Sequence, residues 1–396
     1  MNLYKSFKNT SKLVGTNQFL MICNQKFGTK SIEHSNKAVN EAEKIVGYPT
    51  SFLSLRWLLN DEVANVALHL KKLIGTKHPL LNTARELILN KESPSWGLIV
   101  LLTSKAGGLS SKFSQVDCDI NAGILHSQRV LAEITEMVRT SNIIHKSILN
   151  INKNDEFSED LHFGNKLTLL TGDYLLSNSF RELAGLKSHR VNELVSTSLR
   201  DLSEADFIEP RDSQNKPLPA PPLSQKHEIS VPNHFEKDVL TISEVLGNAK
   251  AEWTLRHLLG GASLLGKCCQ AALMLADHSK DLEESGYIFG RNLALALQIR
   301  KDISSFKPGE SGPFSLISAP LMFHIQDNLE FYDTLMEHVK QDNIKYGQIR
   351  SLILSGNGIE KSLELKQEFV ICGLEALNKF QESKAKNALI NILETV

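Results

Sequence analysis

From about residue 50 to the C-terminus, apolar side chains return at intervals of three and four. Met137, Ser141, Ile144 and Ile148 follow a 4-3-4 spacing, which puts three apolar residues and one small one on a single helical stripe. Comparable stripes run through 167–180, 255–275, 288–303 and 364–380. Only His227–Val231 alternates in the manner of a short strand. The pattern predicts an all-α chain of roughly ten or more helices. It is interrupted where six of the twelve prolines fall between Pro210 and Pro232 among polar neighbours. Proline cannot continue a helix, so an exposed insertion is expected at about 205–238, either an inert surface loop or a polyproline docking segment.

One stretch imitates a phosphate-binding loop. Gly261-Ala262-Ser263-Leu264-Leu265-Gly266-Lys267-Cys268 nearly matches GxxxxGK[ST], but Cys268 stands where a hydroxyl would hold magnesium. No buried strand precedes it, and Leu255, Leu258, Ala262, Leu265, Cys269 and Ala272 fit one continuous helix. A helix is the expectation there.

Charge and composition narrow the classes. The 396 residues carry 44 Lys+Arg against 45 Asp+Glu, so the basic surface a nucleic-acid binder needs is missing. An apolar share of 41% with 22% charged residues describes a globular chain. The longest unbroken apolar runs, such as Leu98–Leu102, are too short to span a bilayer, and no transmembrane segment is expected. Five cysteines without CxxC spacing fit a reducing compartment better than a disulfide scaffold or a structural zinc site. Residues 1–32 hold five lysines and no acid, with Leu3, Phe7 and Val14 spaced along one helical face. That is the composition of a mitochondrial presequence, here placed at 1–35, although it contains no arginine; a disordered basic tail is the other reading. A single domain is expected over 40–396.

Five segments carry a resemblance. Glu136–Asn150 (EMVRTSNIIHKSILN) is followed by Phe163–Lys166 (FGNK) and Leu170–Leu176 (LTGDYLL). Further on come Gln298–Phe306 (QIRKDISSF) and Ser318-Ala319-Pro320. In order and spacing these resemble the signatures of the trans-isoprenyl (polyprenyl) diphosphate synthases, whose two DDxxD motifs hold magnesium. The resemblance implies an isoprenoid-synthase-type helical bundle around a central cavity. It also implies chemistry in which an allylic diphosphate ionises under several magnesium ions and an alkene attacks the cation.

The departures lie at the chemistry. The first DDxxD reads Lys146-Ser147-Ile148-Leu149-Asn150 and the second Lys301-Asp302-Ile303-Ser304-Ser305, so Asp302 is the one carboxylate left of six. The GGKRxRP loop corresponds to Lys91–Gly97 without its GKR core, and the family's Lys-Thr pair falls on Gly260-Gly261. No catalytic residue and no metal site are expected in this chain, and any Mg2+ belongs to a catalytic partner. Glu41–Phe52 (EAEKIVGYPTSF), together with the degenerate motifs, resembles the non-catalytic subunits of long-chain synthases in mitochondrial ubiquinone biosynthesis. The implied partner is a catalytic polyprenyl diphosphate synthase subunit in a hetero-oligomer, a heterotetramer, located in the mitochondrial matrix with at most peripheral contact to the inner membrane.

Of the remaining polar residues, Lys166 and Gln298 occupy family positions near substrate, yet helix-surface and capping roles suit them better. Asp302 is expected to be a relic or an ion-pair partner of Lys301 or Arg300. Asp173 and Leu175 are expected at the subunit interface, and Ser141 is either a tunnel-opening small residue or a helix-contact residue. Beside the silent-subunit reading stands a metal-independent prenyl-diphosphate-binding module in which Lys146, Lys301 and Lys166 hold the anion.

Overall fold

The computed structural model describes residues 29–47, 78–89, 94–110, 118–119, 123–151, 158–223 and 242–396. Most of the presequence segment, the strand candidate His227–Val231 and the second half of the proline-rich insertion lie outside the described residues. In chain order the helices are α1 (Thr29–Val46), α2 (Pro79–Leu89), α3 (Trp96–Gly107), α4 (His126–His145), α5 (Ser158–Gly185) and α6 (His189–Ala205). After the insertion follow α7 (Ile242–Val245), α8 (Ala249–His257), a π-turn (Leu258–Ala262), α9 (Ser263–Leu275) and α10 (Lys280–Ser304). The C-terminal part holds α11 (Ala319–Asp327), α12 (Leu329–Lys340), α13 (Tyr346–Ser355), α14 (Gly358–Leu377) and α15 (Lys384–Glu394). Two-residue strands, β1 (Cys118–Asp119) and β2 (Ile124–Leu125), pair antiparallel. The expected all-α class is what the chain adopts.

Helix α9 is the axis of the bundle. Leu264, Leu265, Cys268, Cys269, Ala271, Ala272 and Leu273 are buried around its whole circumference, because α3, α4, α6 and α10 all pack on it. A side chain at Gly290 would put its Cβ 2.8 Å from the Leu265 carbonyl oxygen, so glycine lets α10 meet the backbone of α9. Ala249–Leu275 is one helical stretch long and apolar enough to cross a membrane by composition, but it is mostly buried inside the protein as the core helix. The near-match to the phosphate loop starts at a kink in this stretch, where Gly261 in the π-turn leaves helical backbone, and continues into α9, so the one continuous helix expected there is instead two helices joined at that kink. Lys267 there bonds Asp201 Oδ2 at 2.8 Å and Thr197 Oγ1 at 2.9 Å on α6, and Asp201 also accepts from Ser263.

Against this axis, α4 turns Met137, Ser141 and Ile144 inward. It stops at His145, so Ile148 leaves the stripe and is exposed. The stop has a local cause. The Asn165 side chain of α5 accepts from Leu149 N at 2.9 Å and donates to Leu149 O at 2.7 Å, taking the backbone groups a further helical turn would use. Ser141 Oγ donates to the Gly172 carbonyl at 2.8 Å, and any side chain at Gly172 would collide with the His145 ring. Helices α4 and α5 are therefore in near backbone contact, and Ser141 has a helix-contact role there.

The proline-rich insertion is not the wholly exposed loop its composition suggests. Leu218, Pro219 and Ala220 are buried. On α8, Glu252 Oε1 accepts from Arg256 Nε at 2.8 Å, a buried pair one helical turn apart. Arg256 donates on to the carbonyls of Ile208 (3.1 Å), Glu209 (2.9 Å) and Leu218 (3.2 Å), while Glu252 accepts from Ala220 N (3.1 Å) and Gly247 N (2.9 Å). A guanidinium saturates irregular backbone that has no ladder partners, which lets residues 206–223 lie against the bundle. At the other end, α1 packs on α3 and α15 through Ala38, Ala42 and Val46.

Candidate functional site

Contacts link the segments that resemble the two aspartate motifs, the Gly-Gly pair and the start of α3: Trp253 touches both His257 and Asp302, and Trp96 lies against Gly261 and Arg139. Because α4 ends at His145, Lys146 and Asn150 do not share a helical face as the two ends of a DDxxD helix would. Ser147 is buried and shares a hydrogen bond of 2.7 Å with Thr83 Oγ1 on α2. Asn150 faces the insertion: its Nδ2 donates to Ser213 O at 2.7 Å, its N–H donates to Gln214 Oε1 at 3.1 Å, and its carbonyl accepts from Gln214 Nε2 at 3.0 Å. Both residues are thus occupied in holding the fold.

Lys146 is exposed just past the end of α4. Desolvation pushes its ammonium below the ordinary lysine value; Asp206 opposes that, while Arg211 and Lys301 add repulsion. His257 lies against the same charges. Burial is the main force lowering it, to about 3, with repulsion from Lys146, Arg256 and Lys301 behind it. Its ring packs 4.5 Å from that of Trp253.

In the second motif, Ser305 caps the end of α10 and its carbonyl accepts from Arg350 Nε at 3.1 Å. Asp302 is buried and fully engaged. Its Oδ2 accepts from the Trp253 indole at 2.8 Å and from Ala319 N at 2.9 Å, and its Oδ1 accepts from Gln298 Nε2 at 2.8 Å. The expectation of an ion-pair partner is corrected accordingly: the carboxylate is held by neutral donors that tie α8, α10 and α11 together. Gln298 serves the same knot.

Burial raises Asp302 to about 6, although all three hydrogen bonds and Lys301 favour the charged form. A carboxyl near 3.9 when unfolded and near 6 when folded favours the folded state while protonated, so this contribution is complete below about pH 4 and is lost as pH rises through 6. The loss is about 3 kcal/mol at pH 7. Asp302→Asn should remove it: the amide oxygen can accept from Trp253 and Ala319, and its NH2 can donate to Gln298 once that amide turns over. The variant should melt higher than the parent at pH 7.5 and show no such gain at pH 4.5. Melting curves at the two pH values check this; a gain of equal size at both would sink the account.

The remaining two losses are coupled. An added Cβ at Gly261 would lie 3.1 Å from the Trp96 indole, so the ring of the degenerate loop covers the Gly-Gly position. Trp96 is kept there by the Arg139 guanidinium, 4.8 Å from its ring centroid, while Glu136 accepts from Gly97 N at 2.8 Å. An aromatic–glycine contact stands at the positions to which the resemblance assigns charged contacts with diphosphate.

No family model matches the chain. The human protein named "All trans-polyprenyl-diphosphate synthase PDSS2" is 36% identical over 384 residues, covering 93% of this chain and 88% of that protein. The mouse protein of the same name is 36% identical over 380 residues, with the same coverage. The chain belongs to the all-trans-polyprenyl-diphosphate synthase family. A mitochondrial hexaprenyl pyrophosphate synthase assigned as probable in Neurospora crassa is 27% identical over 90% of the chain and 84% of its own length. Among solved structures, a decaprenyl diphosphate synthase from Rhodobacter capsulatus shares the fold with a TM-score of 0.55 and 13% identity, over 87% of this chain and 98% of that one.

At the two motif positions, lysines stand at 146 and 301, Ser147 and Asn150 are hydrogen-bonded within the chain, and both Asp302 oxygens accept hydrogen bonds. Among the described residues no group of three His, Cys, Asp or Glu side chains is placed to hold a metal. Lys166 is exposed on α5. Asp173 is exposed and meets His145 at 3.3 Å. Leu175, expected at an interface, is 2% exposed and belongs to the chain's own core; the outward apolar residues of α5 are Leu169, Leu170 and Phe180. Sequence reasoning passed over Asn165, Trp253 and Arg211. Only the Asn of the FGNK segment carried any signal, since it lies in a quoted motif.

Proposed function

We propose that this chain is the non-catalytic subunit of a heteromeric all-trans-polyprenyl diphosphate synthase that makes the side chain of ubiquinone in mitochondria. The observation that carries the reading is that replaced motif residues have structural partners: Ser147 with Thr83, Asn150 with Ser213 and Gln214, Asp302 with Trp253, Gln298 and Ala319. A site whose residues are committed to packing has no ligands left for ionising an allylic diphosphate. Catalysis belongs to a partner subunit with intact aspartate motifs and its own Mg2+, in a heterotetramer of the mitochondrial matrix that touches the inner membrane only peripherally. Names of relatives in Neurospora crassa and Saccharomyces cerevisiae that carry the word mitochondrial support the compartment, as does the acid-free, lysine-bearing start of the chain.

Packing of α1 refines the boundary of that leader. Ala38 is buried in the main core, so processing that removes the proposed 1–35 leader should leave residue 38 in the mature chain. The decisive assay is prenyl elongation by the purified chain alone and by the chain coexpressed with a catalytic subunit. Alone it should turn nothing over with or without magnesium; the pair should make long-chain product and run as one complex in intact-mass measurement. Turnover by the isolated chain, free of endogenous synthase, overturns the reading.

A further inference from the structure

The abandoned metal site is crowded with cations, and its polar atoms are incompletely used. Three segments converge on it. Hydrogen bonds from Asn150 to Ser213 and Gln214 bring the 211–217 turn to the end of α4, where Lys146 stands. Arg256 fixes the same insertion to the end of α8, beside His257. The contact of Trp253 with both His257 and Asp302 brings in α10, with Lys301, and the start of α11. Lys146 is repelled by Arg211 and Lys301, and His257 by Lys146 and Lys301, so these side chains share one electrostatic neighbourhood.

The acids nearby do not neutralise them. Glu252 is spent on Arg256 and two backbone N–H groups, and Asp302 on Trp253, Gln298 and Ala319. Asp206 is exposed and is shared between Lys146 and Arg211, whose Nη2 lies 3.4 Å from it. Three buried side-chain atoms here have no hydrogen-bond partner: Arg211 Nε, His257 Nε2 and Ser318 Oγ. The Arg211 side chain is 8% exposed, and its other nitrogens already donate to Asn215 O and Ala205 O. A buried guanidinium N–H without an acceptor is costly unless a ligand supplies one. Ser318 follows Ile317, whose backbone contacts His257, and precedes Ala319, bonded to Asp302.

We propose that Lys146, Lys301 and Arg211, with His257 and Ser318, form a metal-independent binding site for a diphosphate-class oxyanion, either free diphosphate or the head of a prenyl ester. The charges that exclude magnesium are those that attract this anion directly. Lysines act as point charges and Arg211 presents a directed N–H, a donor set that matches phosphoryl oxygens without an intervening cation. Arg211 comes from the proline-rich insertion, which gives that segment a role in recognition. The proposal rests on the reading that metal chemistry has left this chain, and it fails separately: turnover by the isolated chain defeats that reading, whereas absence of binding defeats this site alone.

The test is calorimetric titration and thermal melting of the full chain in EDTA, with inorganic diphosphate, geranylgeranyl diphosphate, or sulfate at matched ionic strength. Diphosphate should bind and raise the melting temperature, and sulfate should not. Lys146→Gln combined with Lys301→Gln should weaken diphosphate binding about tenfold or more, while the unliganded protein melts no lower, because two mutually repelling charges are gone. The Lys→Arg pair should retain binding. Equal affinity for free and esterified diphosphate supports recognition of the head alone; tighter binding of the ester supports a site that also engages the chain. Binding only with magnesium, binding unchanged in the Gln pair, sulfate binding as tight as diphosphate, or no binding at all overturns the site.

Discussion

Leu170→Asp combined with Phe180→Asp should abolish polyprenyl synthesis by the coexpressed subunits while leaving this chain folded. Leu170 and Phe180 are 55% and 46% exposed, and with Leu169 they make the outer face of α5 apolar. The inner face of the same helix buries Leu167, Thr171, Leu175 and Leu183 in the core. A helix apolar on both sides either lies inside a domain or covers a partner, and α5 lies at the surface. Burying each outward side chain in an interface is worth about 1.5–3 kcal/mol, and placing a carboxylate there adds a desolvation cost. The two changes together should therefore dissociate the complex at working concentrations. Because neither residue supports the chain's own core, its melting temperature should stay close to the parent's. Leu175→Asp is the control with the opposite signature: a carboxylate forced among Leu175's core neighbours should leave the chain insoluble. Size-exclusion of the coexpressed pair, synthesis assays and melting curves separate these outcomes. An intact, active complex carrying both surface aspartates would remove α5 from the interface.

The same helix shows how far the sequence could be read. Periodicity located α5 but could not say which apolar face was the core, because Leu170 and Leu175 satisfy the same three-four spacing on opposite sides. Met137, Ser141 and Ile144 read correctly as one stripe. Ile148 did not, since the helix is ended by Asn165, a residue 17 positions later whose side chain substitutes for a backbone turn. The described part of the proline-rich insertion differs from a wholly exposed loop for a similar reason, with Leu218, Pro219 and Ala220 buried. Its composition is that of a loop, yet the Glu252–Arg256 pair supplies backbone partners that composition cannot reveal. Loss of the aspartates was legible at once. What replaced them was not, because each substitution is explained by a partner far away in the chain: Thr83 for Ser147, Gln214 for Asn150, Trp96 for Gly261.

Restoring the first motif by Lys146→Asp, Ser147→Asp and Asn150→Asp should give no elongation activity in the isolated chain and should lower its stability. The Ser147 site is buried, and its hydroxyl partner Thr83 can donate only one hydrogen bond, so a carboxylate there loses solvation it cannot recover. At 150 the change removes the amide that donates to Ser213 O and sets an anion against that carbonyl. Three negative charges would crowd just past the C-terminus of α4, where the helix dipole is unfavourable to them. Lys146→Asp alone is benign, since Lys301 and Arg211 lie close by. Summed, the cost should be about 2–4 kcal/mol, read as a lower melting temperature. No catalytic gain should offset it. Lys301 and Ser305 still stand in the second motif, Asp302 remains bound to Trp253, Gln298 and Ala319, and Trp96 still covers Gly261. Ionising a diphosphate needs every ligand placed together, and an incomplete set recovers little of the rate. In the complex, the proposed division of labour requires synthesis to persist in proportion to the folded variant. Magnesium-dependent elongation by the purified triple variant would mean that the site was disabled by its first motif alone, and the assignment of the other substitutions to structural roles would have to be given up.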